Sequence, residues 1–146
     1  MEIMTTKTNE LHGIAYGEED VIRFESGVPG FENLKRFLLA MNPEHEPFVW
    51  LYSIENPRIR FLMVNPMTFR PDYMPNMHKE HIADLQIDRK EDLLLFVIVT
   101  MQSNPRESTV NLAGPVLVNI ARKLGKQVIL DDGRYSIRER LMPEGN

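Results

Sequence analysis

From Asp20 onward apolar and polar positions alternate along the chain with a period of two. The segments Asp20–Glu25, Lys35–Met41, Pro47–Ile54, Ile59–Asn65, Leu93–Thr100, Pro115–Ile120 and Gln127–Asp131 are short, rich in Val, Ile, Phe and Tyr, and separated by turn residues. Each is predicted to be a strand. In Pro47–Ile54 the bulky Phe48, Trp50, Tyr52 and Ile54 alternate with Val49, Leu51 and Ser53, so one face carries the aromatics. Leu93–Thr100 does not alternate, the pattern of a central strand covered on both faces. Strands at this spacing, with little helical pattern between them, predict an all-β, mainly antiparallel domain. Its architecture is a small β-barrel or sandwich with one or two short helical turns.

Proline punctuates the plan. Pro43, Pro47, Pro57, Pro66, Pro71, Pro75, Pro105 and Pro115 fall between runs or at their first residue, where a missing N–H does no damage. "ENPRI" (Glu55–Ile59) is a hairpin-sized loop, which makes the strands on either side antiparallel neighbours. Helical pattern is confined to His78–Ile87, with Ile82, Leu85 and Gln86 facing inward over a turn or two. Residues 1–135 read as one domain and 136–146 as a C-terminal tail, partly frayed. The turn "FESGVPGFENL" (Phe24–Leu34) stands out because Val28 and Phe31 are apolar. Gly27 and Gly30 permit positive φ, Pro29 presets a tight turn, Phe24 ends a strand facing inward, and Phe31 closes over the core's edge.

Composition narrows the classes of function. A chain of 146 residues with 42% hydrophobic and 26% charged residues is an ordinary globular domain, not a disordered one. Its formal charge of −4 disfavours direct nucleic-acid binding and suits a basic protein partner. With no cysteine, disulfides, thiolate nucleophiles and Cys-ligated zinc are excluded. "MEIMTTKTNE" has no apolar stretch of the kind a secretory signal needs, and the longest apolar run, Leu93–Val99, is far shorter than a membrane span. The expectation is a cytoplasmic protein with no membrane or nucleic-acid contact, monomeric when free.

Candidate chemistry is sparse. His78 and His81 lie three apart beside Glu80 and Asp84, a weak metal-site pattern whose plain alternative is the polar face of a short helix. "GEED" (Gly17–Asp20) and "LDDGRY" (Leu130–Tyr135) bring carboxylates together, but in turn compositions. "RKLGKQ" (Arg122–Gln127) is a small basic turn. No nucleophile elbow, phosphate loop or dinucleotide fingerprint occurs. The expectation is no enzyme, no cofactor and no bound metal. Met67, Met74 and Met77, by contrast, share one long Pro-rich connection, and methionine adapts to irregular apolar surfaces that grip partners.

Five segments in order, "FESGVPGFENLKRFLL", "PFVWLYSIENPRIRFLMVNP", "PDY", "VIVT" and "NLAGPVLVNIARKLGKQVIL", resemble the FliW family of flagellar assembly factors. The resemblance runs from about Tyr16 to Tyr135. It departs from the family after "PDY", where "MPNMHKEH" intervenes, and at Gly114, where alanine is commoner. The resemblance implies a regulator that binds CsrA, a small dimeric RNA-binding protein, and relieves its repression of the flagellin message. It also implies binding of cytoplasmic flagellin, in competition with CsrA.

On this reading the contact candidates are Phe31, Asn65, Pro66, Met67, Phe69, Asp72, Tyr73, Met74 and Met77. Glu18, Glu19 and Asp20 form an acidic patch able to repel RNA. Gly27, Pro29, Gly30, Asn111, Pro115 and Gly125 are motif residues with structural roles. The competing class is a small ligand- or metal-binding β-barrel that uses His78 and His81.

Overall fold

The alternating strands close on themselves. The protein is described by a computed structural model covering residues 9–131 and 133–141, and eleven strands lie among these residues. They are β1 (Asn9–Leu11), β2 (Ile14–Tyr16), β3 (Val21–Arg23), β4 (Arg36–Ala40), β5 (Phe48–Ser53), β6 (Arg60–Val64), β7 (Leu93–Thr100), β8 (Thr109–Val110), β9 (Val116–Asn119), β10 (Leu124–Gln127) and β11 (Glu139–Arg140). Strands β3 to β7 form an antiparallel meander. The hairpin β9–β10 then brings β10 parallel to β3 and β9 antiparallel to β7, closing a barrel in the order β7-β6-β5-β4-β3-β10-β9. Between barrel and sandwich, the choice is the barrel.

Closure depends on the length of β7. Its eight residues serve three neighbours, with Val97–Val99 paired to β6 and, further, Leu93–Phe96 paired to β9 and Val99–Thr100 paired to β8. Its apolar run is therefore covered on both faces. Leu94, Phe96 and Ile98 join the barrel interior, while Val97 and Val99 pack outside it with Val64, Tyr73, Val110 and Leu112. In β5 the aromatic face is the outer one. Val49 and Leu51 point inward, while Trp50 and Tyr52 lie under the β1–β2 hairpin beside Leu11 and Tyr16. Phe24, Phe37, Leu51 and Met63 are fully enclosed at the centre, and each such side chain contributes about 1.5–3 kcal/mol by leaving water.

The turn from Phe24 to Leu34 folds its apolar residues inward. Gly30 has φ +89°, with Pro29 before it, as position i+2 of a type II turn requires, and Phe31 N–H donates to the Val28 carbonyl at 2.6 Å. Gly27 has φ +70°, and a Cβ there would stand 2.6 Å from the Glu32 backbone. Val28 and Leu34 are buried in the barrel core, and half-buried Phe31 meets Phe61 edge-on at 5.5 Å.

Three points differ from the sequence reading. The strand expected over Gln127–Asp131 lies earlier, as β10. Its register is set by buried Asn119, whose Oδ1 accepts the Ala121 and Arg122 amides while its Nδ2 donates to the Leu85 and Gln86 carbonyls. Residues 128–130 continue extended, tied by Val128 N–H to Pro115 O and Leu130 N–H to Ala113 O. Gln86 does not face inward: at φ +54° it ends the short helical piece made of α1 (Lys79–Ile82) and the 3₁₀ turn Ala83–Leu85. Strands β1, β2, β8 and β11 are too short to register as alternation. After Tyr135, β11 pairs with β8, and Leu141 N–H donates to Ser108 O. Residues 142–146 lie outside the described residues.

Candidate functional site

The connection from β6 to α1 is ordered by its own polar groups. Asn65 Oδ1 accepts the Met67 amide at 2.9 Å and its carbonyl accepts the Thr68 hydroxyl at 2.7 Å, capping a 3₁₀ turn that begins at buried Pro66. Phe69 is half-buried against the outer cluster of Val64 and Val97. Tyr73 is buried, its hydroxyl donating to Leu112 O at 2.7 Å and its ring meeting Tyr135 at 4.7 Å. The next residue is held from both sides: Met74 N–H donates to the Tyr135 hydroxyl and Arg134 donates to the Met74 carbonyl.

The backbone is thereby fixed while two side chains stand out. Met67 is 45% exposed and Met74 is 74% exposed. Met77 turns the other way and packs toward Leu85, Val128 and Leu130. The contact candidates thus divide. Asn65, Met67, Asp72 and Met74 face solvent, Phe31, Phe69 and Met77 are half-buried, and Pro66 and Tyr73 are inside, holding the connection up.

Arg70 links this connection to the last strand, reaching Asp72 at 3.2 Å and Glu139 at 2.9 Å. The hydrogen bond from Arg70 holds the Asp72 carboxyl below its ordinary value, and the Asp72 contact in turn raises Arg70. With its folded value lowered, Asp72 favours the folded state above its unfolded value, an advantage lost as pH falls through the folded one. Glu32 is lowered by the same logic, chiefly by the Gly30 amide.

Other candidates lie elsewhere. Glu18–Asp20 form a 3₁₀ turn before β3, where Asp20 accepts the Gly17 amide and Glu18 pairs with Arg36 at 2.8 Å. Asn111 Oδ1 accepts the Ala113 amide, and Pro115 is buried at the start of β9. Gly125 sits against the Phe24 ring, 2.4 Å from where a Cβ would be. The rings of His78 and His81 are 5.1 Å apart, but His81 Nδ1 accepts the His78 amide at 3.2 Å. One ring nitrogen of the pair is thereby committed to the backbone, and no third ligand joins them: among the described residues no group of three or more His, Asp or Glu converges.

Sequence reasoning passed over Met41 and Ile120. Each ends a strand-like segment and each is exposed, yet they line one groove of about 440 Å³ at the end of the barrel where β4 runs toward β5. Met41 also lines a second groove, of about 310 Å³, that extends to Phe48. The available signal was an apolar residue placed just past a strand end, where a polar turn residue is usual.

The barrel and its anchored connection define a class, a small closed all-β domain that displays flexible apolar side chains on a rigid frame. Within that class the family is also clear, because the family model for the FliW protein matches residues 5–141. The chain belongs to the FliW family.

A flagellar assembly factor FliW from Caldanaerobacter subterraneus subsp. tengcongensis is 40% identical over 145 residues, covering 99% of this chain and 95% of that one. One from Clostridium novyi is 43% identical over 135 residues, covering 92% and 94%. The crystal structure of a flagellar assembly factor FliW superposes with a TM-score of 0.85 at 36% identity, over 98% of this chain and 99% of that one. No helix among the described residues is long and apolar enough to cross a membrane.

Proposed function

We propose that the protein is a non-catalytic flagellar assembly factor of the cytoplasm that works by exchanging protein partners. It binds a CsrA-type RNA-binding dimer and takes it off the flagellin message, and it binds newly made flagellin in competition with that dimer. The observation that carries this reading is the match to FliW relatives over nearly the whole chain, with barrel and connection alike inside it. The exposed Met67 and Met74 on a pinned backbone support it, because they offer adaptable apolar contact at little cost in ordering the loop.

No chemical step is required. If the two partners exclude each other, rising flagellin occupies the protein, the RNA-binding dimer is set free, and translation of the flagellin message stops. Export of flagellin reverses the sequence. The response depends only on concentrations and dissociation constants. A net charge of −4 favours encounter with a basic dimer and disfavours RNA beside it.

The test is titration calorimetry against the CsrA-type protein and, separately, flagellin from the same organism, followed by competition. Saturable binding to both, with each displacing the other, is the expected result. Absence of binding to either, at concentrations where family interactions saturate, refutes the reading.

A further inference from the structure

An oxidant has one kind of sulfur to meet in this chain. It contains no cysteine and nine methionines, so every sulfur is a thioether. Among the described residues Met63 is fully enclosed in the barrel core and Met77 is half-buried, while Met41, Met67, Met74 and Met101 are exposed. Exposure alone does not separate these four, since Met41 at 55% and Met101 at 52% bracket nothing that Met67 at 45% lacks. What surrounds each sulfur does. The Met101 sulfur accepts the Ser108 hydroxyl at 3.1 Å, which engages one of its lone pairs, and Ser108 is buried with its oxygen also accepting the Gln102 amide. Met41 follows β4 and stands apart in the chain from the other three.

Met67 and Met74 share one connection, and its backbone does not depend on their side chains. The Met67 amide is held by Asn65 Oδ1, and Met74 is held by the Tyr135 hydroxyl and Arg134. Neither side chain belongs to a buried cluster. Oxidation of a thioether to a sulfoxide turns a flexible apolar side chain into a polar one. At Met63 that change would put a polar oxygen into the core and cost stability. At Met67 and Met74 it changes the character of the surface and leaves the fold in place.

We propose that Met67 and Met74 form a reversible oxidation site, at which a hydroperoxide converts both thioethers to sulfoxides and weakens the hold of this connection on its protein partner. The proposal rests on the reading above, in which the connection contacts a partner, and adds how that contact is regulated. A sulfur lone pair attacks one peroxide oxygen, the O–O bond breaks, and the other oxygen leaves with a proton as water or an alcohol. Sulfur loses two electrons and the peroxide gains them. A dithiol-dependent sulfoxide reductase reverses the step: two thiols become a disulfide and the sulfoxide oxygen leaves as water.

The full chain is treated with hydrogen peroxide, and oxidation is followed at each methionine by peptide mass mapping. Thermal melts and binding of flagellin and of the CsrA-type dimer from the same organism are measured before and after. Both methionines are expected to oxidise at least about tenfold faster than Met63, because the enclosed sulfur reacts only through opening of the barrel. The melt is expected to be unchanged, and affinity for a partner is expected to fall about tenfold. Methionine sulfoxide reductase with dithiothreitol restores it. A Met67→Leu/Met74→Leu variant keeps affinity within about twofold, as volume-conserving apolar exchanges do, and becomes insensitive to peroxide. Met41→Leu remains sensitive.

Oxidation of Met67 and Met74 no faster than of Met63 overturns the proposal. So does undiminished binding by the oxidised protein, which leaves the proposed function standing. Equal sensitivity of the double leucine variant places the responsive sulfur elsewhere and also overturns it. If the reduced wild type binds neither partner, the proposed function falls and the regulation falls with it.

Discussion

At the scale of single residues, the tightest constraint is Gly125. It lies in β10 directly over the Phe24 ring, and the ring is fully enclosed with Phe37 5.0 Å away. A Cβ at 2.4 Å from that ring forces either Phe24 or the β3–β10 contact to move. Since β3 and β10 meet through a single pairing, Leu124 with Arg23, the strand contact is the softer of the two. Gly125→Ala is therefore expected to destabilise by about 1–3 kcal/mol, the usual cost of overpacking a core. Denaturant unfolding measures it, and a loss under about 0.5 kcal/mol would mean the barrel accommodates the methyl group without strain. This glycine could be singled out in the sequence, but not its reason. The turn glycines Gly27 and Gly30 were read correctly for positive φ, which local chemistry dictates, whereas Gly125 is required by a ring a hundred residues away.

At the scale of elements, the same contrast separates what periodicity reveals from what it hides. Strands β4 to β7 and β9 have four to eight residues and show as β-rich runs, β3 shows because extended residues flank its three, and the turns between them carry Pro, Gly and Asn. The hairpin β1–β2 and the strands β8 and β11 have two or three residues each and exist through their partners, so no window of sequence contains their signal. Strand β10 was misplaced by three residues because Gln127–Asp131 is as β-rich as any segment, and the arbiter, Asn119, acts through backbone groups of distant residues. The connection after β6 was picked out for its methionines; that Tyr73 and Tyr135 pin it is tertiary information.

That pinning is testable. Tyr73→Phe keeps the ring but removes the donor to Leu112 O, leaving a buried acceptor without that partner. It is expected to cost about 1–3 kcal/mol. Amide exchange of residues 65–78 should accelerate more than exchange in β4–β6, because the lost bond anchors the connection and not the barrel. Uniform acceleration in both would mean that connection and barrel unfold together.

At the scale of the whole molecule, the protein separates stability from recognition. The groups that hold the barrel closed are inside it, while two of the proposed contact side chains, Met67 and Met74, stand on its surface. Met67 and Met74 make the point most directly, since their backbones are fixed by Asn65, Tyr135 and Arg134 and their own side chains are exposed. A Met67→Glu/Met74→Glu variant is therefore expected to unfold within about 0.5 kcal/mol of wild type, as ordinary surface substitutions do. Its affinity for flagellin or the CsrA-type dimer is expected to fall about tenfold or more, equivalent to about 1.4 kcal/mol of binding. Gly125→Ala should behave in the opposite way, losing stability but binding normally at temperatures where it remains folded. Calorimetric binding and thermal unfolding on both variants decide the matter. Unchanged binding by the methionine variant would place recognition away from this connection, and a large stability loss would show that the methionines belong to the core after all.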